Sequence, residues 1–102
     1  MYNVPRISVR TLYPISEEKW AYLVKIIKSD GSGTCTSHKV MLDKPYYKDL
    51  SNGEIMPEEF VKKAIEFILR NQDKDHLEDK FDIVEITRSF PDFNSYMRRQ
   101  TH

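Results

Sequence analysis

The sequence predicts an α+β domain in which a two- or three-stranded antiparallel β-meander packs against two C-terminal α-helices. Three observations predict it. Trp20–Lys28 concentrates β-branched and aromatic residues that suit a pleated surface. The following Ser29-Asp30-Gly31-Ser32-Gly33 supplies two glycines free to take positive φ, the chemistry of a tight reversal. Between Pro57 and Arg70 the apolar residues recur at the 3.6-residue period of an amphipathic helix.

In chain order, Met1–Pro5 is expected to be a loose end, and Ile7–Leu12 alternates apolar and polar residues as a short strand that Tyr13-Pro14 stops. Ile15–Lys19 connects it to the strongest strand, Trp20–Lys28, which a loop at Asp30–Gly33 joins to a second arm, Thr34–Leu42. With Ser29 opposite Thr34, that loop pairs Leu23 with Val40, Ala21 with Leu42 and Ile27 with Thr36 on one face. The other face then carries Trp20, Tyr22 opposite Met41, Val24 opposite Lys39 and Ile26 opposite Ser37. A one-residue slip would exchange the two faces.

Asp43–Gly53 reads as a hinge, with Pro45 able to start a helical turn, Tyr46 and Tyr47 as amphipathic anchors, and Asn52-Gly53 as a turn or helix stop. Pro57, Glu58 and Glu59 mark the start of the long helix, where carboxylates meet the positive end of the helix dipole. At about 100° per residue, Phe60, Val61, Ala64, Ile65, Phe67 and Ile68 form one broad arc, with Leu69 at its margin. That arc is expected to be core. After the polar break Asn71–Asp75, residues 77–90 fit helical turns with Asp82 as a cap, although the β-branched content of 82–87 also fits a strand. Pro91 ends that segment, and Asp92–His102 offers Phe93, Tyr96 and Met97 as anchors before a basic end that is loose over about 98–102.

At 102 residues the chain is expected to form a single domain, 1–102, burying roughly two thirds of its unfolded surface. Hydrophobic residues at 39% and charged residues at 31% describe an ordinary globular chain. No apolar run approaches the ~18 residues of a membrane span and the first residues lack signal-peptide character, so a cytoplasmic protein with no membrane partner is expected. A lone cysteine, Cys35, agrees with a reducing compartment. Formal net charge is zero, yet residues 1–50 hold 8 Lys and Arg against 5 Asp and Glu, and residues 51–102 hold 8 against 11. The strands are basic and the helices acidic.

No phosphate-binding glycine loop, HExxH, GxSxG or paired cysteines occur, so neither an enzyme nor a cofactor or metal site is expected. Cys35 and His38 are close in sequence, but three residues apart on a strand they face opposite ways. His76 beside Asp75 and Asp79 suits a helix start better than a metal site, and the clustered acids Glu58, Glu59, Glu78, Asp79 and Asp82 read as solvated.

The succession VMLD, YYKDL, NGEIMPEEFVKKAIEFILRN and FDIVEITRSFPDF over residues 38–93 resembles a group of small bacterial and archaeal proteins. They share a strand ending in Leu-Asp, a Tyr-Tyr pair, Gly before Pro-Glu-Glu and a late Arg-x-Phe-Pro. The resemblance implies a strand-rich N-terminal part and carries no assigned activity. The strand followed by two helical segments is also similar to ribbon-helix-helix DNA-binding proteins, in which two chains pair their strands in the major groove. Here the segment before the long helix is short, the strand has a hairpin partner, and the net charge is zero.

The function expected is therefore a non-enzymatic protein-interaction module that meets a protein partner, or a second copy of itself as a homodimer, through Trp20, Tyr22, Val24 and Met41. The alternative is a nucleic-acid binder using Arg6, Arg10, Lys25, Lys28 and Lys39 on a basic ribbon.

Overall fold

A computed structural model describes residues 6–27, 35–71 and 77–101. The architecture is α+β: a four-stranded mixed sheet with helices. Strand β1 (Arg6–Ser16) pairs antiparallel with β2 (Lys19–Ile27), which pairs antiparallel with β3 (Cys35–Asp43). The chain then makes α1 (Lys44–Ser51) and α2 (Pro57–Asn71) before β4 (Lys80–Asp82) adds in parallel to the free edge of β3. A single 3₁₀ turn (Ile83–Glu85), the short α3 (Ile86–Ser89) and α4 (Phe93–Thr101) complete it. The sheet thus keeps a three-stranded antiparallel meander and adds a fourth, parallel strand that the sequence did not suggest.

The register differs from expectation by one residue. β2 and β3 pair Tyr22 with Val40, Val24 with His38 and Ile26 with Thr36, so these residues share a face with Trp20 and Leu42. That face is the core side. Tyr22, Val24, Ile26, Val40 and Leu42 are buried with Phe60, Ala64 and Ile65 of α2, and β1 adds Ile7 and Val9. The loop that was to set the register, Asp30–Gly33, lies outside the described residues. Both faces of β2 carry apolar side chains, so alternation within the strand could not choose between the two registers.

Strand β1 runs past Tyr13-Pro14 instead of stopping there. It does so as an edge strand with register shifts between Thr11 and Tyr13 and between Pro14 and Ser16. A proline is tolerated at an edge because its missing N–H leaves no ladder bond unmade there, and bulges blunt an otherwise pairable edge.

The hinge is a full helix. Pro45 sits in the first turn of α1, and Asn52 closes it in the left-handed conformation at φ 54°, its N–H donating to the Lys48 carbonyl. Gly53 follows at φ 73°, the region that glycine occupies without Cβ strain. Buried Ser51 satisfies its hydroxyl by donating to the Tyr47 carbonyl at 2.7 Å and accepting from the Gly53 N–H at 3.1 Å. Both tyrosines do pack: Tyr47 stands edge-on to Phe60 at 5.5 Å and to Trp20 at 5.8 Å, and its hydroxyl donates to the Ile55 carbonyl. Tyr46 donates to Asn94 Oδ1 of α4 at 2.6 Å, and burial raises its phenol pKa well above the ordinary value.

Helix α2 buries the six residues of the anticipated arc, Phe60, Val61, Ala64, Ile65, Phe67 and Ile68. Residues 77–90 are a composite, strand then 3₁₀ then α, in place of the favoured continuous helix. Asp82 ends the strand and caps the turn, accepting from the Val84 N–H at 3.3 Å. The C-terminal segment is a helix, Phe93–Thr101. Its Phe93 and Met97 are fully buried, and Phe67 meets Phe90, Phe93 and Tyr96 at ring distances of 5.6, 5.2 and 4.8 Å.

The ribbon-helix-helix likeness stops at the order of elements. Strand β3 has β2 on one side and β4 on the other, so it has no edge to offer a second chain.

Candidate functional site

Because side chains alternate, the register that buries Tyr22 and Val24 turns their neighbours to the opposite face of the sheet. Cross-strand rows define that face. One row holds Arg10, Leu23, Lys39 and Lys80, one from each strand. The next toward the β2–β3 loop holds Ser8, Lys25 and Ser37, and the next Arg6, Ile27 and Cys35. In the other direction come Tyr13, Ala21, Met41 and Asp82, then Ser16, Lys19 and Asp43. Leu23, Ile27 and Met41 are half-buried and take no part in the main core.

Charge on this face is segregated. The first three rows contain Arg6, Arg10, Lys25, Lys39 and Lys80 and no carboxylate. Arg6, Arg10, Lys25 and Lys80 are exposed and form no ion pair among the described residues. Lys39 is held: its ammonium donates to the Tyr13 hydroxyl and lies 4.8 Å from that ring's centroid. At the far end Lys19 Nζ meets Asp82 Oδ2 at 2.6 Å, and the exposed Glu78 and Asp79 precede Lys80 at the β4 margin.

That pair staples β2 to β4 across β3. The hydrogen bond to Asp82, and then its charge, raise the Lys19 pKa above the ordinary 10.5, against a smaller opposing effect of burial. A raised lysine pKa contributes stability that is present in full below the unfolded value and is lost as pH rises through the folded one. Asp82→Asn keeps an acceptor for the Val84 N–H but removes the charge. It is expected to cost about 0.5–1 kcal/mol at pH 7 by urea denaturation, and the gap from the parent should close above pH 10.5. A gap that persists once Lys19 has lost its proton would show that the ion pair does not carry the effect.

The residues expected to bind a protein do not form one surface. Tyr22 and Val24 are 2% and 0% exposed, and Trp20 leans on the core beneath the Lys44 ammonium, 4.8 Å from its ring. Met41 points to the other face. Burial, with Glu58 nearby, pushes the Tyr22 phenol pKa up, so that hydroxyl stays protonated. The alternative set behaves differently: Arg6, Arg10, Lys25 and Lys39 all lie on the helix-free face, while Lys28 falls outside the described residues. Lys80 joins them and was missed, because a three-residue strand leaves too little alternation to detect.

Cys35 and His38 do face opposite ways, Cys35 exposed on the helix-free side and His38 buried on the core side. His38 Nδ1 lies 2.7 Å from the Glu78 carbonyl, which can only accept, so Nδ1 carries the proton. Nε2, 2.9 Å from Thr36 Oγ1, accepts from that hydroxyl in the neutral ring. The ring thus ties β3 to the chain entering β4. Among the described residues no three His, Cys, Asp or Glu side chains group as a metal-binding set, and no helix is long and apolar enough to cross a membrane.

Fold and face together define an α+β domain with a helix-free, cationic sheet surface. Comparison with family models, curated proteins and solved structures gave no match to the chain.

Proposed function

We propose that the protein is a non-enzymatic binding module that docks nucleic acid on the helix-free face of its sheet. The observation that carries this reading is that the three paired rows holding Arg6, Arg10, Lys25, Lys39 and Lys80 contain no carboxylate, in a chain of zero net charge. Such local segregation is the electrostatic footprint of a polyanion site, even where the whole-chain charge conceals it.

A protein partner is the second reading, favoured by the half-buried Leu23, Ile27 and Met41 on the same face. A homodimer through the β1 edge is the weaker form of it. A twofold pairing centred on Ser8 would set Arg6 against Arg10 of the second copy, and like charges directly opposite are destabilising.

The test is amide chemical-shift mapping on addition of a mixed-sequence oligonucleotide at low salt. Shifts should concentrate at Arg10, Leu23, Lys25, Lys39 and Lys80. Their absence, or shifts confined to the helical side, would overturn the reading. Equal shifts on the same residues with polyglutamate, together with none from the oligonucleotide, would overturn it in favour of an acidic protein.

A further inference from the structure

Resting on that reading, we infer that the nucleic acid is a B-form DNA duplex, gripped by its two phosphate walls across the major groove. Three features of the face separate a duplex from a single strand.

The first is spacing. Arg10 and Lys80 occupy the same cross-strand row on the two outermost strands, three strand spacings apart. At about 4.8 Å per spacing, their backbones stand about 14 Å from each other. The major groove of B-DNA is about 12 Å wide. Two long exposed cations at that separation reach one phosphate wall each, with Leu23 and the tethered Lys39 between them over the groove.

The second is the lack of a stacking platform. Single-strand binders seat successive bases on aromatic rings. The three cationic rows carry no aromatic residue, and Tyr13, in the row beyond, already holds the Lys39 ammonium on its ring. The rings of Trp20, Tyr22 and Phe81 belong to the core side.

The third is what lies between the cations. Ser8 and Ser37 flank Lys25, small residues that let the sheet approach a convex surface closely, while Arg6 continues the positive field about 13 Å along β1 from Arg10. With Lys39 engaged by Tyr13, four cations remain to neutralise phosphates: Arg6, Arg10, Lys25 and Lys80.

Fluorescence anisotropy with a labelled 20-base-pair DNA duplex, its component single strand and the matching RNA duplex tests this. Four phosphate contacts give a log–log salt slope of about −3.6, a loss of about 150-fold in affinity between 50 and 200 mM salt. The DNA duplex should bind more tightly than either alternative. Arg10→Ala/Lys80→Ala, two exposed positions whose replacement leaves the core intact, should bring the slope to about −1.8 and the loss to about 12-fold. Tighter binding of the single strand or of the RNA duplex overturns the duplex inference and leaves the proposed nucleic-acid function standing. An unchanged slope in the double variant overturns the groove-spanning geometry. No binding of any of the three overturns both.

Discussion

Val24→Asp is expected to abolish the folded state, whereas Leu23→Asp, one residue away, leaves it intact. Val24 is fully buried on the core face, in a cluster that includes Ile26, Val40 and Phe60. A carboxylate there loses its hydration, and the ring nitrogens of its cross-strand neighbour His38 are already engaged by the Glu78 carbonyl and Thr36, so the penalty is several kcal/mol on top of the lost apolar burial. Domains of this size have about 5–15 kcal/mol in total, so the variant should lack a cooperative urea transition at neutral pH. Leu23 faces the other way, between Arg10 and Lys39. An aspartate at that position gains favourable charge neighbours, and the change in stability should stay within about 1 kcal/mol. The same substitution cancels part of the positive field and should weaken DNA binding. If Leu23→Asp is the one that unfolds, the β2–β3 register is shifted by one residue from that described; if both variants fold, Val24 does not sit in a closed core.

Phe93→Ala is expected to cost about 3–5 kcal/mol, the range for removing a fully buried ring from a packed core. The size follows from its position. Phe93 begins α4 and stands 5.2 Å from Phe67 of α2, in an aromatic cluster with Phe90 and Tyr96 that joins the C-terminal helix to the long one. In a domain of about 100 residues each kcal/mol moves Tm by roughly 4–8 °C, so a drop of more than ten degrees should be visible by circular dichroism. A change under about 1 kcal/mol would mean that α4 is not part of the core.

The contrast between α2 and the sheet explains what could be read in advance. The apolar arc of α2 is a 3.6-residue pattern with one solution, and the same six residues are buried. The segments of β2 and β3 were legible for the same reason, since β-branched and aromatic residues cluster in them. Their register was not. Ala21, Leu23 and Ile27 on one face and Tyr22, Val24 and Ile26 on the other are both apolar enough for a core, and only long-range packing on α2 selects between them. That single ambiguity decided the candidate site, because it exchanged the buried face for the available one. β4 was illegible for a different reason: Lys80-Phe81-Asp82 is a strand only because β3 offers an unpaired edge, which no local pattern encodes. The cationic field depended on both, as Lys80 reaches the face through β4 and the others through the register.

The parallel strand has a consequence for the order in which the molecule comes apart. β4 returns to β3 only after both α1 and α2, and it is three residues long. Beyond its short ladder and the buried Phe81 ring, its attachment includes the Lys39 N–H donating to the Asp79 carbonyl at 2.8 Å, the His38 ring on the Glu78 carbonyl, and the Lys19–Asp82 pair. Such a margin detaches at a free energy below that of global unfolding. The Lys39 amide should therefore exchange with deuterium sooner than the amides joining β2 to β3. A duplex held by Arg10 on one margin and Lys80 on the other spans that detachable strand, so occupancy should slow exchange at Lys39 in proportion to saturation, turning an amide clock into a gauge of binding.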